Sequence, residues 1–427
     1  MLRLLNYKHP VNLLVAVDII AFGLLCYHNS SKAFDWKTLL AGVIISVLFC
    51  ITYLIIVKKG MGDEYLFLIV AMLSSLGFIM IYRLDNEAGF RQFIWLLLGI
   101  SLFFLSYFAF IKIKTWSKFI YFYIGASFLL YILTLVLGTD IGGSKNWIIV
   151  GGFRFQPSEI IKVLFILFLA CYFKDPDSLR FPLNKPKFLN TRLGRSLFLM
   201  AAVYMNVAFL FLQGEWGTVL LFLLVFLAEV YVFDKGKVLM LVNSAAIIIC
   251  AAAGYFLVYH IKVRFDIWLN PWADISGKGY QIAQSLFAIA AGGFFGTGIG
   301  SGRPDLIPAV NTDFIFSAIS EEMGIFGGMA VILLFFILAY RGFKIVMKVE
   351  DKFNKALALG IAVQIGIQTF IIIGGVTKLV PLTGITLPFI SYGGSSLVTS
   401  FILLGLLQAL SSGKAQRSGG VDKLDRE

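Results

Sequence analysis

Hydrophobic positions in this chain come in long, unbroken blocks rather than in the three-to-four-residue rhythm of a surface helix. Apolar runs occupy roughly 11–28, 38–57, 65–82, 92–111, 118–137, 158–173, 196–213, 216–233, 237–259, 314–340, 356–376 and 390–411. Each is close to the ~20 residues that a helix needs to cross a bilayer. Lipid offers the backbone no hydrogen-bond partners, so a spanning segment must be a helix or belong to a closed barrel. The alternating ten-residue pattern of barrel strands does not occur. The pattern predicts an all-α polytopic membrane protein with about twelve transmembrane helices. Only Gln213-Gly214-Glu215 divides the 196–233 stretch into two spans.

Polar segments between the runs are short, with two exceptions on one side, about 138–157 and 260–313. The second holds Trp268, Trp272, Phe287, Phe294 and Phe295, a composition that argues against disorder. Within it, Gln281 to Ala291 is apolar but too short to span, which predicts a re-entrant or interfacial helix. The glycine-rich run Gly292-Gly293-Phe294-Phe295-Gly296-Thr297-Gly298-Ile299-Gly300 follows. Irregular backbone at that depth must rest against protein or line a water-filled cavity. No internal repeat of the kind that builds many transporters is visible.

Composition agrees with the pattern: 59% of the 427 residues are hydrophobic and only 14% charged, against roughly a quarter charged in soluble domains. The first run ends in Tyr27-His28-Asn29 without a small-residue cleavage site and reads as a retained helix. Cys26, Cys50, Cys171 and Cys250 lie inside apolar runs, without the spacing of a disulfide framework or zinc site. The net charge of +12 comes from basic residues in short loops beside spans, so anionic headgroups rather than nucleic acid are the expected partner. About 24 of the 36 Lys and Arg residues fall on the side holding both termini, and about 11 on the other. The positive-inside rule places both termini in the cytoplasm.

Ionisable groups at membrane depth are costly, and so are functional candidates. Asp313 stands immediately before a long apolar run, flanked by Phe314 and Phe316. It could cap that helix, or act as a general base whose pKa is raised by desolvation. Glu321-Glu322 lie about two turns further on, as structural partners of basic groups or as cation ligands. Glu159 and Lys162 are three apart at a helix start after Arg154-Phe155-Gln156-Pro157-Ser158, close enough to pair. Arg91, Lys145, Arg154, Arg264, Lys278 and Arg303 are outer-side cations of the kind that clamp pyrophosphate. The two-proline segment Pro381–Ser396 runs into a helix starting with small residues, which favour close packing. No P-loop, His-x-x-x-His pair or Gly-x-Ser-x-Gly motif is present.

These motifs resemble the SEDS family (shape, elongation, division and sporulation; the RodA, FtsW and SpoVE proteins). The matching runs are Phe155-Gln156-Pro157-Ser158-Glu159, Gly279-Tyr280-Gln281 with Gln284-Ser285, Gly292-Gly293-Phe294-Phe295-Gly296, Thr312-Asp313-Phe314-Ile315-Phe316, Glu321-Glu322-Met323-Gly324 and Pro381–Ser396. They cover about 64–411 in the family's order. The resemblance implies a ten-helix core. It divides the chain into an additional helix pair (1–60), a polymerase membrane core (61–411) and a cytoplasmic tail (412–427).

The resemblance further implies a peptidoglycan glycosyltransferase that polymerises lipid II, the undecaprenyl-pyrophosphate disaccharide-pentapeptide, beside a class B penicillin-binding protein. Asp313 matches the family's essential aspartate, Glu159 and Lys162 its helix pair, and Arg91 and Arg154 its outer-face basic positions. With the motif residues Gln281, Ser395 and Ser396 and the cations Lys145, Lys278 and Arg303, these form the expected substrate-binding set. Two places depart from the pattern. The usual Gln-Pro-Asp-Leu-Gly-Thr reads Gln213-Gly214-Glu215-Trp216-Gly217-Thr218, and Asn146 stands directly before the loop tryptophan, with Lys145 one place earlier. A pyrophosphate leaving group beside carboxylates implies Mg²⁺ or Mn²⁺, with Asp313 and Glu322 as ligands, and no organic cofactor. A lipid II flippase and a non-catalytic scaffold remain open alternatives.

Overall fold

The computed structural model describes residues 10–29, 36–141, 144–151, 153–176, 191–234 and 237–413. The basic loop from Lys174 to Arg195 lies largely outside them, as does nearly all of the expected tail. The twelve expected spans correspond one to one with α1 (Pro10–Asn29), α2 (Trp36–Lys59), α3 (Glu64–Leu84), α4 (Asn86–Lys112), α5 (Ile120–Leu137), α6 (Pro157–Lys174), α7 (Arg192–Leu212), α8 (Trp216–Phe233), α9 (Lys237–Leu257), α12 (Ile315–Lys348), α13 (Lys352–Val376) and α14 (Gly394–Ser411). Among the described residues ten are long and apolar enough to cross a membrane by themselves. The other two are α1, whose apolar stretch is shorter, and α6, which carries Glu159, Lys162 and Lys174. The chain is a multi-pass membrane protein.

Four elements of the two long loops went unforeseen. Thr139–Ile141 (β1), Ser144–Val150 (β2) and Phe153–Phe155 (β3) form a small antiparallel sheet in the order β1-β2-β3. It adds a minor strand component to the predicted all-α fold. Such short runs carry too few alternations to be read from sequence. Tyr259–Leu269 forms α10, too polar to stand out as an apolar run, ahead of the expected short helix, observed as α11 (Tyr280–Gly292).

The chain divides into two compact units. One comprises residues 1–98, 263–338 and 369–393. In it, Asp18 of α1 is buried and accepts hydrogen bonds from Ser46 Oγ of α2 (2.7 Å) and from Ser75 Oγ of α3. A single carboxyl group thereby ties α1 to both α2 and α3. Gly77 of α3 touches the backbone of Ile390 so closely that any side chain there would collide with it.

Within the same unit α12 is broken at Gly324, whose φ of 68° lies in the left-handed region. The break removes the donors that would normally bond to the carbonyls of Glu321 and Glu322. The glycine loop replaces them: Thr297 N–H donates to Glu321 O (2.9 Å) and Gly298 N–H to Glu322 O (3.0 Å). In return, Ile325 N–H donates to Gly293 O (2.9 Å) and Phe326 N–H to Phe294 O (3.5 Å). These four groups thereby regain partners, as burial requires. The glycine-rich run thus rests against protein, and Gly296 admits no side chain because Glu322 O lies against its α-carbon.

The second unit comprises residues 99–262, 339–368 and 394–427. Its helices meet through aromatic and small-residue contacts. Phe165 of α6 stacks on Phe222 of α8 at 4.2 Å between ring centroids, and Gly405 of α14 lies against Ser106 and Phe103 of α4. Small residues permit such approach where no hydrophobic force separates helix from lipid. Glu229 of α8 is fully buried beside Gly360 of α13.

Candidate active site

Asp313 occupies a turn two residues before α12, with its backbone N–H bonded to Ala309 O (3.2 Å). It is half-buried, and among the described residues its carboxylate accepts no backbone N–H, so the capping role is not seen. It instead faces Arg264 of α10. Burial raises the Asp313 pKa above the ordinary carboxylate value, opposed in part by the Thr312 hydroxyl and the Arg264 guanidinium. Burial correspondingly lowers that of Arg264, and the nearby carboxylate resists the fall. Arg264 is held from behind: its Nη1 donates to Thr383 O at 2.8 Å.

The Pro381–Gly393 part of the two-proline segment is fastened to the turn carrying Asp313. Ser391 Oγ donates to Thr312 O (2.6 Å) and accepts from Leu387 N–H (2.9 Å), while Tyr392 N–H donates to Asn311 O (2.8 Å). Trp268, one helical turn after Arg264, donates its indole N–H to Lys378 O (3.2 Å). Two side chains on one face of α10 therefore pin it to the stretch between α13 and α14.

Glu321 and Glu322 are loop anchors. Glu322 meets Arg83 at 2.8 Å and accepts Gly300 N–H at 2.9 Å, while Glu321 accepts Arg303 N–H at 2.7 Å. Arg83 also donates to Gly300 O (3.2 Å) and Gly302 O (2.9 Å). Glu322 is thus engaged by a cation and an amide, an environment that does not fit a metal ligand. Among the described residues no group of three or more His, Cys, Asp or Glu side chains could hold a metal. Asp313 alone could supply one carboxylate to an ion bound chiefly by substrate phosphates, as Mg²⁺ often is.

In the second unit Lys162 Nζ lies 2.8 Å from Glu159 Oε1, with both side chains buried. Thr399 Oγ1 of α14 donates to the other Glu159 oxygen at 3.1 Å. Glu215 accepts from Gln156 Nε2 (3.0 Å), Ser158 Oγ (2.8 Å) and Thr218 Oγ1 (3.0 Å), so the departing Gln-Gly-Glu run ties α8 to the start of α6. Ser395 Oγ accepts Gln156 N–H (3.1 Å), and Ser395 and Ser396 are both buried in the packing of α14. The structure thus groups Glu159, Lys162 and Thr399 in one cluster and Glu215, Gln156 and Ser158 in another.

The other expected substrate-binding residues are exposed and are not drawn into these clusters. Arg91 lies 3.6 Å from Glu87, one turn away on its own helix. Lys145 and Arg154 stand on β2 and β3, Lys278 and Gln281 flank the start of α11, and Arg303 approaches Asp305 at 3.5 Å. Sequence reasoning passed over Arg83, the terminal cation of a buried span, and gave Arg264 no special place among the cations. Their partners are far away in sequence.

Residues 63–416 match the FtsW/RodA/SpoVE profile, described as cell cycle protein. The chain belongs to this family. The match begins after α1 and α2. Over 416 residues it is 35% identical to the peptidoglycan glycosyltransferase RodA of Mycobacterium tuberculosis, covering 93% of this chain and 88% of that protein. It is 36% identical to the stage V sporulation protein E of Bacillus subtilis, covering 83% and 98% respectively. A chain from a peptidoglycan synthase complex coordinating polymerization and crosslinking superposes with a TM-score of 0.69 at 28% identity, covering 83% of this chain and 98% of that one. The rod shape determining protein RodA of Thermus thermophilus superposes with a TM-score of 0.59 at 27% identity, covering 83% and 97%.

Proposed function

We propose that this membrane protein is a peptidoglycan glycosyltransferase that polymerises lipid II into glycan strands. The observation that carries the reading is Asp313, a half-buried carboxylate held beside Arg264 in a chain of this family. Asp313 takes the proton from the acceptor sugar's 4-hydroxyl as that oxygen bonds to the donor's anomeric carbon. The bond from that carbon to the pyrophosphate oxygen breaks with inversion, and the polyprenyl pyrophosphate leaves as an anion. Desolvation makes Asp313 a stronger base than an exposed aspartate. Exposed cations such as Lys278 and Arg303 lie on the side we assign to the outer face, where they would meet the pyrophosphate. When bound, Mg²⁺ or Mn²⁺ would add charge neutralisation, with Asp313 as its protein ligand.

The termini are placed in the cytoplasm on the asymmetry of basic residues. A class B penicillin-binding protein is the proposed partner, supported by the likeness to a chain of a synthase complex that also crosslinks. Anionic lipids would flank the basic loops. Lipid II polymerisation by purified protein tests the reading. Asp313→Asn should lower the rate by about 10²–10⁴-fold while preserving membrane insertion. A variant retaining more than about a tenth of the wild-type rate would sink the base assignment. A flippase would instead translocate lipid II without polymerising it, and a scaffold would do neither.

A further inference from the structure

The turn between α4 and α5, on the side assigned to the cytoplasm, differs from the other inner connections between spans. It holds Lys112, Lys114 and Lys118, and no Asp or Glu occurs anywhere from 88 to 139. Each of the other connections sets carboxylates beside its cations: Asp63 and Glu64 after Lys58-Lys59, Asp175 and Asp177 after Lys174, Asp234 before Lys235, and Glu350-Asp351 after Lys348. The turn is also firmly built. Lys118 N–H donates to Thr115 O (2.9 Å), closing Trp116–Lys118 into one 3₁₀ turn. Trp116 O accepts from Tyr123 Oη (3.0 Å) and from Cys171 Sγ of α6 (3.6 Å), and the Trp116 ring packs on Phe110 with centroids 5.8 Å apart. The turn is thereby drawn onto the end of α6, where Lys174 Nζ donates to Ser117 Oγ at 2.8 Å. That bond brings a fourth ammonium group to the other three.

All four lysines are exposed, and among the described residues none of them forms a salt bridge. Like charges gathered on a fixed turn repel one another, and an external anion relieves the repulsion. Ile113, Phe119, Tyr121 and Phe122 are exposed beside them, where α4 and α5 enter the apolar layer. An acidic protein would answer the charges and leave this apolar collar to the bilayer, whereas a lipid answers both. We propose that the α4–α5 turn is a binding site for an anionic phospholipid, with its phosphate among Lys112, Lys114, Lys118 and Lys174 and an acyl chain along Phe119 and Phe122. Lysine suits the task, since its stem lies along apolar surface while its ammonium stays at headgroup level. The inference rests on the reading that anionic lipids flank the basic loops, and narrows it to one built site. It does not depend on the reaction assigned to Asp313.

The test titrates phosphatidylglycerol into the full-length chain purified in neutral detergent and counts bound lipid by native mass spectrometry. Phosphatidylcholine, which carries the same phosphate without net charge, is the comparison. Wild type should bind phosphatidylglycerol saturably and in preference. Each lysine near a headgroup contributes about a fivefold gain in affinity, so Lys114→Gln with Lys118→Gln should weaken binding by about 25-fold. Lys344→Gln with Lys348→Gln removes two charges from the inner side of α12 and should cost less than about fivefold. Equal losses in the two variants would mean diffuse attraction and overturn the inference. A second measurement needs no variant: phosphatidylglycerol with a photoactivatable headgroup should label wild type chiefly between 110 and 122. Labelling spread evenly over the inner loops overturns the site. Should wild type hold no more phosphatidylglycerol than phosphatidylcholine, the reading of anionic lipids beside the basic loops falls and this inference with it. Should the preference survive intact in Lys114→Gln with Lys118→Gln, the inference alone falls.

Discussion

Replacing Arg83 by Met should destabilise the protein far more than replacing its partner Glu322 by Gln. Arg83 closes α3 onto the glycine loop through one ionic contact and two carbonyls, with its side chain 16% exposed and that of Glu322 fully buried. The Nε–Oε1 approach at 2.8 Å is ionic rather than a well-aligned hydrogen bond, so the attraction depends on both charges. Removing the cation strands a buried carboxylate, a change that costs about 3–5 kcal/mol. Glu322→Gln keeps an acceptor for Gly300 N–H and leaves Arg83 its carbonyls, a loss of about 1–3 kcal/mol. The double variant has no stranded charge and should be less destabilised than the two single effects summed, by at least about 1 kcal/mol. Denaturant unfolding of detergent-solubilised wild type, both single variants and the double variant closes the cycle. Additivity within about 0.5 kcal/mol would refute the reasoning and leave Glu322 free for another role.

Three further outcomes are expected. Cysteines at Asp140 and Ser276, in a variant without native cysteines, should react with an impermeant thiol reagent in spheroplasts, whereas cysteines at Lys114 and Asp351 should not; reversed labelling would invert the topology. Chelation should suppress polymerisation reversibly, and undiminished activity after rigorous metal removal would leave the phosphates to Arg and Lys alone. Folding favours the protonated form of Asp313, because burial raises its pKa. The folded state then binds more protons than the unfolded one near that value, so the contribution of Asp313 to stability rises as pH falls. The melting temperature of wild type minus that of Asp313→Asn should therefore increase from pH 7.5 to pH 5 while polymerisation declines, and a decrease would contradict the raised pKa.

Helix positions were legible because lipid imposes one rule on every residue of a span, and the boundaries at α6, α8 and α13 fall within a few residues of the apolar runs. Asp313 was legible for the opposite reason, as a charge where charge is costly. Its partner was not. Arg264 sits on a short polar helix that no run of hydrophobicity marks, and only the return of the Pro381–Gly393 segment brings Thr383 and Gly384 to it. Glu321-Glu322 could be recognised as needing partners, yet nothing in the sequence points to Arg83 or to the amides of Gly300 and Arg303. Long-range pairing of this kind is set by how the chain returns on itself, which local pattern does not encode. The glycine loop was expected to lie against protein or water, but its exchange of hydrogen bonds with α12 depends on the break at Gly324.

The carboxyl group of Asp18 has a consequence for how the chain is built. During synthesis α1 leaves the ribosome before either of the helices that satisfy it. An acidic residue at the centre of a span adds about 2.5–3.5 kcal/mol to the cost of insertion, which the leucine- and isoleucine-rich remainder of α1 must offset alone. Ser46 arrives with α2 and Ser75 with α3. The first three helices should therefore be retained together at the insertion machinery and released as a trio, and a chain truncated after α2 should leave it more slowly than one truncated after α3.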